Sequence, residues 1–370
     1  MSVRVALVHE RFTEFAGSEQ VVAQLARIWP GAPVLAPIAR PVGFPPELQD
    51  RVQGTALSRF VRPGGGYAHL LPALPLAMRH LRLGAPDVVV ASHHAFASQV
   101  VHATDAPVVA YVHSPARWIW DPAMRAGEAG GRFGAVALSS FAGAYRPFDR
   151  QAARQLHSIV ANSSAVAGRI RDWWGQPSTV VHPPVDTGFY TPDAAVRRED
   201  FLLLAGRLVP YKQPGVAIQA AQRAGRRLVV VGDGRMRAEC EQLGGTGTVF
   251  LGRVSDEELR SLFRRCSALL MPGVEDFGIV PVEAQACGTP VLATGLGGAL
   301  DSVVRGTTGE HVEGRRGDLN EEWTEALRSF DPTRYDPATI RRHAEGFSRQ
   351  VFRQRMHEAV EQVAHGRSSA

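Results

Sequence analysis

Short apolar runs recur along the chain, and a longer stretch of helical character follows most of them. The first run is Val3 to Val8, and it ends at His9-Glu10-Arg11. A loop comes next, then a helix near Ser18 to Trp29. Further buried strands are expected at Asp87 to Ala91, Pro107 to Val112, Ser158 to Ala161 and Thr179 to His182, with a helix from Val166 to Trp174. This rhythm is the α/β pattern of parallel strands joined by crossover helices. It breaks at PPVDTGFYTPDAAVRRED, which reads as an interdomain connection. A second cycle begins at Phe201 to Leu204 and continues with strands at Arg227 to Val231, Thr248 to Leu251, Ala268 to Met271 and Val291 to Ala293. Two units are expected, residues 1–185 and 186–347, with a last helical stretch over about 348–370. At 370 residues the chain exceeds one ordinary compact core. No period of 20–50 residues marks a repeat protein.

Charge changes this picture slightly. Residues 1–185 hold 17 Arg against 11 acids, whereas the remainder is close to neutral. A basic first half suits phosphorylated acceptors or a peripheral contact with a membrane surface. No Lys/Arg-rich run or aromatic-basic module points to nucleic acid. Lys212 is the sole lysine among 41 basic residues, so the arginine count carries little meaning by itself. Three scattered cysteines, Cys240, Cys266 and Cys287, imply neither a disulfide framework nor a metal knuckle. No apolar run reaches the ~20 residues of a membrane span, and a cytoplasmic protein is expected.

The chemistry concentrates in PGVEDFGIVPVEAQACGTPVLATGLGG, Pro272 to Gly298. Glu275 and Glu283 stand eight positions apart, separated by the turn Phe277-Gly278 and by Pro281, which is suited to open a helix. Glu275 is thus expected in a loop and Glu283 in the first helical turn. Cys287-Gly288-Thr289-Pro290 ends the helix and starts the next strand. First-turn amides have no intrahelical acceptor, and carboxylates accept from sugar hydroxyls. A hydroxyl-rich ligand bearing a diphosphate suits such a place.

This segment resembles the E-(seven residues)-E signature of retaining, nucleotide-sugar-dependent glycosyltransferases of family 4. The resemblance implies a GT-B fold, two Rossmann-like domains facing across a cleft, with the last helix crossing back onto the first domain. It also implies an anionic diphosphate leaving group. Gly206-Arg207-Leu208-Val209-Pro210-Tyr211-Lys212 follows a strand, where ligands bind in open α/β sheets. Arg207 and Lys212 match the cations that the family places on the diphosphate. Gly232 in Gly232-Asp233-Gly234 would lie next to the nucleotide and Val254 beside the base. Glu283 would accept from the ribose hydroxyls, while Glu275 and the backbone around Phe277-Gly278-Ile279 would hold the transferred sugar. No cofactor and no catalytic metal is implied, only a nucleoside-diphosphate sugar as donor.

In the first half, Gly17 and Ser18 form a loop that would approach the donor, with Ser18 expected as an N-cap. His113 to Asp121 is similar to the H-[ST]-P-x-R-x-x-W-D pattern of a branch that includes bacterial polysaccharide mannosyltransferases. By that resemblance His113 contacts the transferred sugar, with Arg117 on the acceptor side. His94 also follows a strand and faces the same region. Arg59 to Leu83, with Gly64-Gly65-Gly66, reads either as an acceptor or membrane surface or as a core helix behind a loop. Trp173-Trp174 reads as interfacial or buried. Mannose from GDP is the first expectation for the donor, with UDP-linked glucose, galactose or N-acetylglucosamine open. A glycan, lipid-linked or small-molecule acceptor fits. A nucleotide-sugar epimerase or isomerase, or a non-catalytic scaffold, would carry a similar donor site.

Overall fold

A computed structural model describes residues 3–62, 66–128, 131–314 and 318–366, without the side chains of 126–128 and 131–133. Gly64 and Gly65 fall outside the described residues. The chain divides into two compact units. The first runs to Pro184 and resumes at Phe352; the second is Val185–Val351.

The first unit is built on a seven-stranded sheet. Its strands are β1 (Val5–His9), β2 (Val34–Ala36), β3 (Val52–Gly54), β4 (Val88–His93), β5 (Val108–Val112), β6 (Ser158–Ala161) and β7 (Thr179–Val180). Their spatial order is β3-β2-β1-β4-β5-β6-β7, and all pairings are parallel. Side chains alternate between two cores. Ala6, Val8, Val89, Ala91, Val108 and Ala110 point one way, whereas Val5, Leu7, Val88, Val90 and Val109 point the other. Burial on both faces explains why these strands read as continuous apolar runs.

The second unit repeats the plan with six strands. They are β8 (Leu202–Ala205), β9 (Leu228–Val231), β10 (Thr248–Gly252), β11 (Ala268–Met271), β12 (Val291–Thr294) and β13 (Gly309–Val312). The order β10-β9-β8-β11-β12-β13 is again wholly parallel. In each sheet the strand order reverses beside the unit's first strand, so a crevice opens at the carboxyl ends of β1/β4 and of β8/β11. Both units are Rossmann-like.

The last helix, Arg349–Gly366, sends Phe352, Met356 and Val360 into the first unit's core, one apolar residue per turn. Phe352 meets the Tyr111 ring edge-on at 5.5 Å.

Several expectations are corrected. Strands β2 and β3 are only three residues long, and β13 has a single large apolar residue, Val312, so none of them stands out in the sequence. The stretch from Arg59 to Leu83 is no long helix: prolines confine it to 3-10 turns and a six-residue helix, Leu74–Arg79. Trp174 is buried at 1% exposure, its indole N–H bonded to Asp149 at 2.8 Å. No helix among the described residues is long and apolar enough to cross a membrane.

Candidate functional site

Loops at the carboxyl ends of β8, β9 and β11 gather the second unit's candidate site residues. Gly206 follows β8, and its amide donates to Val231 O of β9 at 3.0 Å. Gly232 continues β9 and donates to Gly252 O at 2.6 Å. After β11, Gly273 packs on the backbone of Tyr211 and Lys212, where a Cβ would collide with the Lys212 Cα. Only glycine permits that approach, and it brings the Lys212 loop against the Glu275 loop.

Lys212 Nζ and Glu275 Oε1 form an ion pair at 2.9 Å, both side chains about one-fifth exposed. Arg207 stands apart from it, exposed, its Nη2 donating to the Tyr211 hydroxyl at 3.2 Å. Gly278 adopts φ +84° and caps the helix Ile279–Ala286. That helix starts with no side-chain cap and no acidic residue in its first turn. Its N-terminal amides and positive dipole end are therefore not offset by the protein's own carboxylate in that turn.

Pro281 is the third helical residue rather than the first, because Gly278 opens the helix earlier. Glu283 consequently begins the second turn, a correction to the expected first-turn place. Proline is tolerated here since its missing N–H is still one of the orphan donors. Burial pushes the Glu283 carboxyl up to about 8, with further repulsion from Asp256 and Asp186 against a weaker pull from Arg349 and Lys212. Phe277 is buried at 2% exposure and packs on Phe347, so it offers the site backbone only. Ile279 and Val254 are half-buried, each packed on the unit's core.

The first unit gathers a different chemistry. The register pairs His9 of β1 with Ser92 of β4, and His113 follows β5 directly. Ser92 Oγ lies 3.0 Å from His9 Nδ1 and 2.9 Å from His113 Nε2. His9 Nε2 lies 3.3 Å from Glu19 Oε1. The rings of His94 and His113 stack at 4.3 Å and 7°. Both residues are half-buried, and loss of water lowers both imidazoles, His113 to about 3. The Glu10 carboxylate accepts from the amides of His94, Ala95 and Phe96 at 3.1, 2.7 and 3.0 Å. An anion-binding turn is thereby filled by the chain itself.

Ser18 is not the N-cap. The cap of the helix Gly17–Ile28 is Ala16, two residues earlier, and Glu19 reaches back to the Ala16 amide at 3.0 Å. The Ser18 hydroxyl donates to the same carboxylate at 2.9 Å. Gly17 is the first helical residue. Arg117 opens the short helix Arg117–Trp120, its Nη2 3.3 Å from Met124 Sδ.

The structure thus joins Lys212, Glu275, Gly206 and Gly232 in one unit, with Gly278, Ile279 and Glu283 on the adjoining helix. It joins His94 and His113 in the other unit, with Gly17 and Ser18 reached through Glu19. Sequence reading passed over His9, Glu10 and Ser92. All three lie at the carboxyl ends of β1 and β4, and the rule applied to β8 would have found them.

Residues 15–189 match the model of Glycosyltransferase Family 4, and residues 193–333 match that of Glycosyl transferases group 1. Among curated relatives, the D-inositol 3-phosphate glycosyltransferase of Mycobacterium sp. (strain JLS) is 36% identical over 194 residues, 46% of this chain and 43% of that protein. The protein of that name from Rhodococcus erythropolis (strain PR4 / NBRC 100887) is 33% identical over 234 residues, 54% of this chain and 52% of that one. The chain matches about half the length of these relatives. Among solved structures, Anabaena HepE in complex with UDP and glucose aligns with TM-score 0.68 at 18% identity, over 97% of this chain and 100% of that one. Sucrose-phosphate synthase from Thermosynechococcus elongatus aligns with TM-score 0.71 at 16% identity, over 98% and 100%. Each unit thus matches one glycosyltransferase family model, and the whole chain has the GT-B fold of these solved structures.

Proposed function

We propose that the chain is a retaining, metal-independent glycosyltransferase that moves a hexose from a nucleoside-diphosphate sugar to a hydroxyl acceptor. The observation that carries this reading is the Lys212–Glu275 pair beside the uncapped helix start at Gly278. A departing diphosphate gains negative charge as the sugar bond breaks. A fixed ammonium and a helix N-terminus stabilise that charge more in the transition state than in the ground state. On donor binding Lys212 exchanges part of its contact with Glu275 for the phosphate, and Glu275 turns to the sugar hydroxyls. Glu283 serves the ribose. In the retaining route the acceptor attacks from the face the diphosphate leaves, and a donor phosphate oxygen takes the acceptor proton.

UDP-glucose is the donor we favour for a first test, supported by the UDP- and glucose-bound relative of the same fold. GDP-mannose is the second donor, supported by the His113 to Asp121 pattern. The relatives' name and the 17 arginines of residues 1–185 favour a phosphorylated polyol as acceptor. The experiment incubates the protein with UDP-glucose, UDP-galactose, UDP-N-acetylglucosamine or GDP-mannose, with and without D-inositol 3-phosphate or a polyprenyl-linked glycan, in EDTA. Acceptor-dependent nucleotide release and a product of retained anomeric configuration are expected. Donor conversion without acceptor would make it an isomerase, and no binding of any donor a scaffold. Turnover lost in EDTA and restored by magnesium would refute metal independence.

A further inference from the structure

Four polar side chains, from two strands, one helix and the residue that follows a third strand, form a single hydrogen-bonded file in the first unit: Glu19, His9, Ser92 and His113. His9, Glu19 and Ser92 are buried, at 0%, 5% and 1% exposure. Hydrogen-bond capacities along the file leave little freedom. Burial raises the Glu19 carboxyl, but the bonds it accepts, first from His9 and then from the Ser18 hydroxyl, hold it below its usual value. An ionised carboxylate accepts only, so His9 Nε2 carries the proton that faces it. A neutral His9 then has a bare Nδ1, and the one proton of the Ser92 hydroxyl goes there. Ser92 Oγ is left as an acceptor, and His113 Nε2 must donate to it.

Glu19 is the third residue of its helix, at the positive end of the dipole, and it accepts from the Ala16 amide and the Ser18 hydroxyl. The other ionisable groups around the file are Glu10, Arg11, His93, His94 and His113 itself. Of these, Glu10 is already held by three backbone amides. The His94 ring lies 5.8 Å from that of His9 and 4.3 Å from that of His113, so an added proton on any of the three repels the other two.

We propose that Glu19, His9 and Ser92 are positioning residues that lock His113 in its Nε2–H tautomer, making its Nδ1 a hydrogen-bond acceptor for a hydroxyl of the bound sugar. The inference rests on the glycosyltransferase reading for the identity of that ligand, while the tautomer itself is independent of it. An acceptor nitrogen selects a sugar position that carries a free O–H and disfavours one that is oxidised or carries a carboxylate. The ring stack with His94 fixes the plane, and the file fixes the rotation.

The test is the tautomer. Two-bond 15N–1H correlation spectra of the full chain at pH 7.5 assign the protonated nitrogen of His113, with His113→Gln identifying its signals. A single Nε2–H form is expected in the wild type. Ser92→Ala should convert it to a mixture of both tautomers, and Ser92→Thr, which keeps the hydroxyl, should restore the wild-type pattern. With a donor that turns over, Ser92→Ala should lower kcat with little change in donor KM, as for a group that acts through alignment. An Nδ1–H form in the wild type overturns the proposal without any variant being needed. An unchanged single tautomer in Ser92→Ala overturns it equally. If the spectra agree and no nucleotide sugar is ever turned over, the file stands and the glycosyltransferase reading fails.

Discussion

The two units share a strand order and a crevice position, yet they treat backbone amides at the carboxyl ends of their strands in opposite ways. In the first unit the turn after β4 is occupied by Glu10, which takes three amides at once. In the second, the helix after β11 starts with no acidic residue in its first turn and no side-chain cap. One set of amides is taken by the protein's own carboxylate, and the other helix start has no acidic residue in its first turn. The same contrast holds for side chains. Ser92, His9 and Glu19 bond one another in a file that ends at His113, while Lys212 and Glu275 neutralise each other across a partly exposed pair. Topology supplies the crevice, and the residues at the strand ends decide what enters it.

The largest effect expected from this contrast is on chemistry in the second unit. Lys212→Ala should lower kcat by ~100–1000-fold while donor KM changes little, as when one preorganised donor to a developing anion is lost. A kcat within a few-fold of wild type in steady-state assays would move the electrophilic role to Arg207. Glu275→Gln should damage transfer and leave bare nucleoside diphosphate affinity, read by calorimetry, nearly intact.

Next comes stability in the first unit. Glu10→Gln replaces a charged acceptor with a neutral amide at the three backbone N–H groups, and its own NH2 must find a partner in a buried place. A loss of about 1–3 kcal/mol in urea unfolding is expected. If the variant is as stable as the parent, those amides do not depend on the carboxylate, and the contrast between filled and open anion sites weakens.

The smallest effects are in pH dependence, and they have the same sign in both units. Burial raises Asp149 from 3.8 to about 7, and Glu283 from 4.5 to about 8. A raised carboxyl binds its proton more tightly when folded, so its stabilising effect is complete below the unfolded value and is lost as pH climbs to the folded one. Asp149→Asn should therefore gain on the wild type in melting temperature between pH 4 and 7 and then level off. Glu283→Gln should keep gaining up to pH 8. Parallel melting curves for both variants that show no pH dependence of the difference would remove the buried-acid account of these two residues.

Much of the molecule was legible because its signals are local. Continuous apolar runs marked the two-sided strands, and the spacing of Glu275, Phe277-Gly278, Glu283 and Gly288 marked a loop, a helix and its end. The start of that helix was misjudged because a glycine at positive φ competes with a nearby proline, and only the folded backbone shows which one sets the first turn. Ser18 was misread for a related reason: a cap is defined by who bonds whom, and Glu19 takes the Ala16 amide instead.

The sequence by itself determined the α/β class, two units, and the residue types at the second unit's strand ends, since each depends on neighbours within a few positions. Tertiary structure alone decided the histidine file. His9 and Ser92 are 83 residues apart, and Ser92 and His113 are 21 apart. Parallel pairing sets a register that places His9 beside Ser92, and no local pattern encodes a partner on another strand. It likewise decided the state of Glu283, whose carboxyl is raised first by burial and then by Asp256 and Asp186, tens of residues away. Burial and charge act through space, so distance along the chain does not limit them.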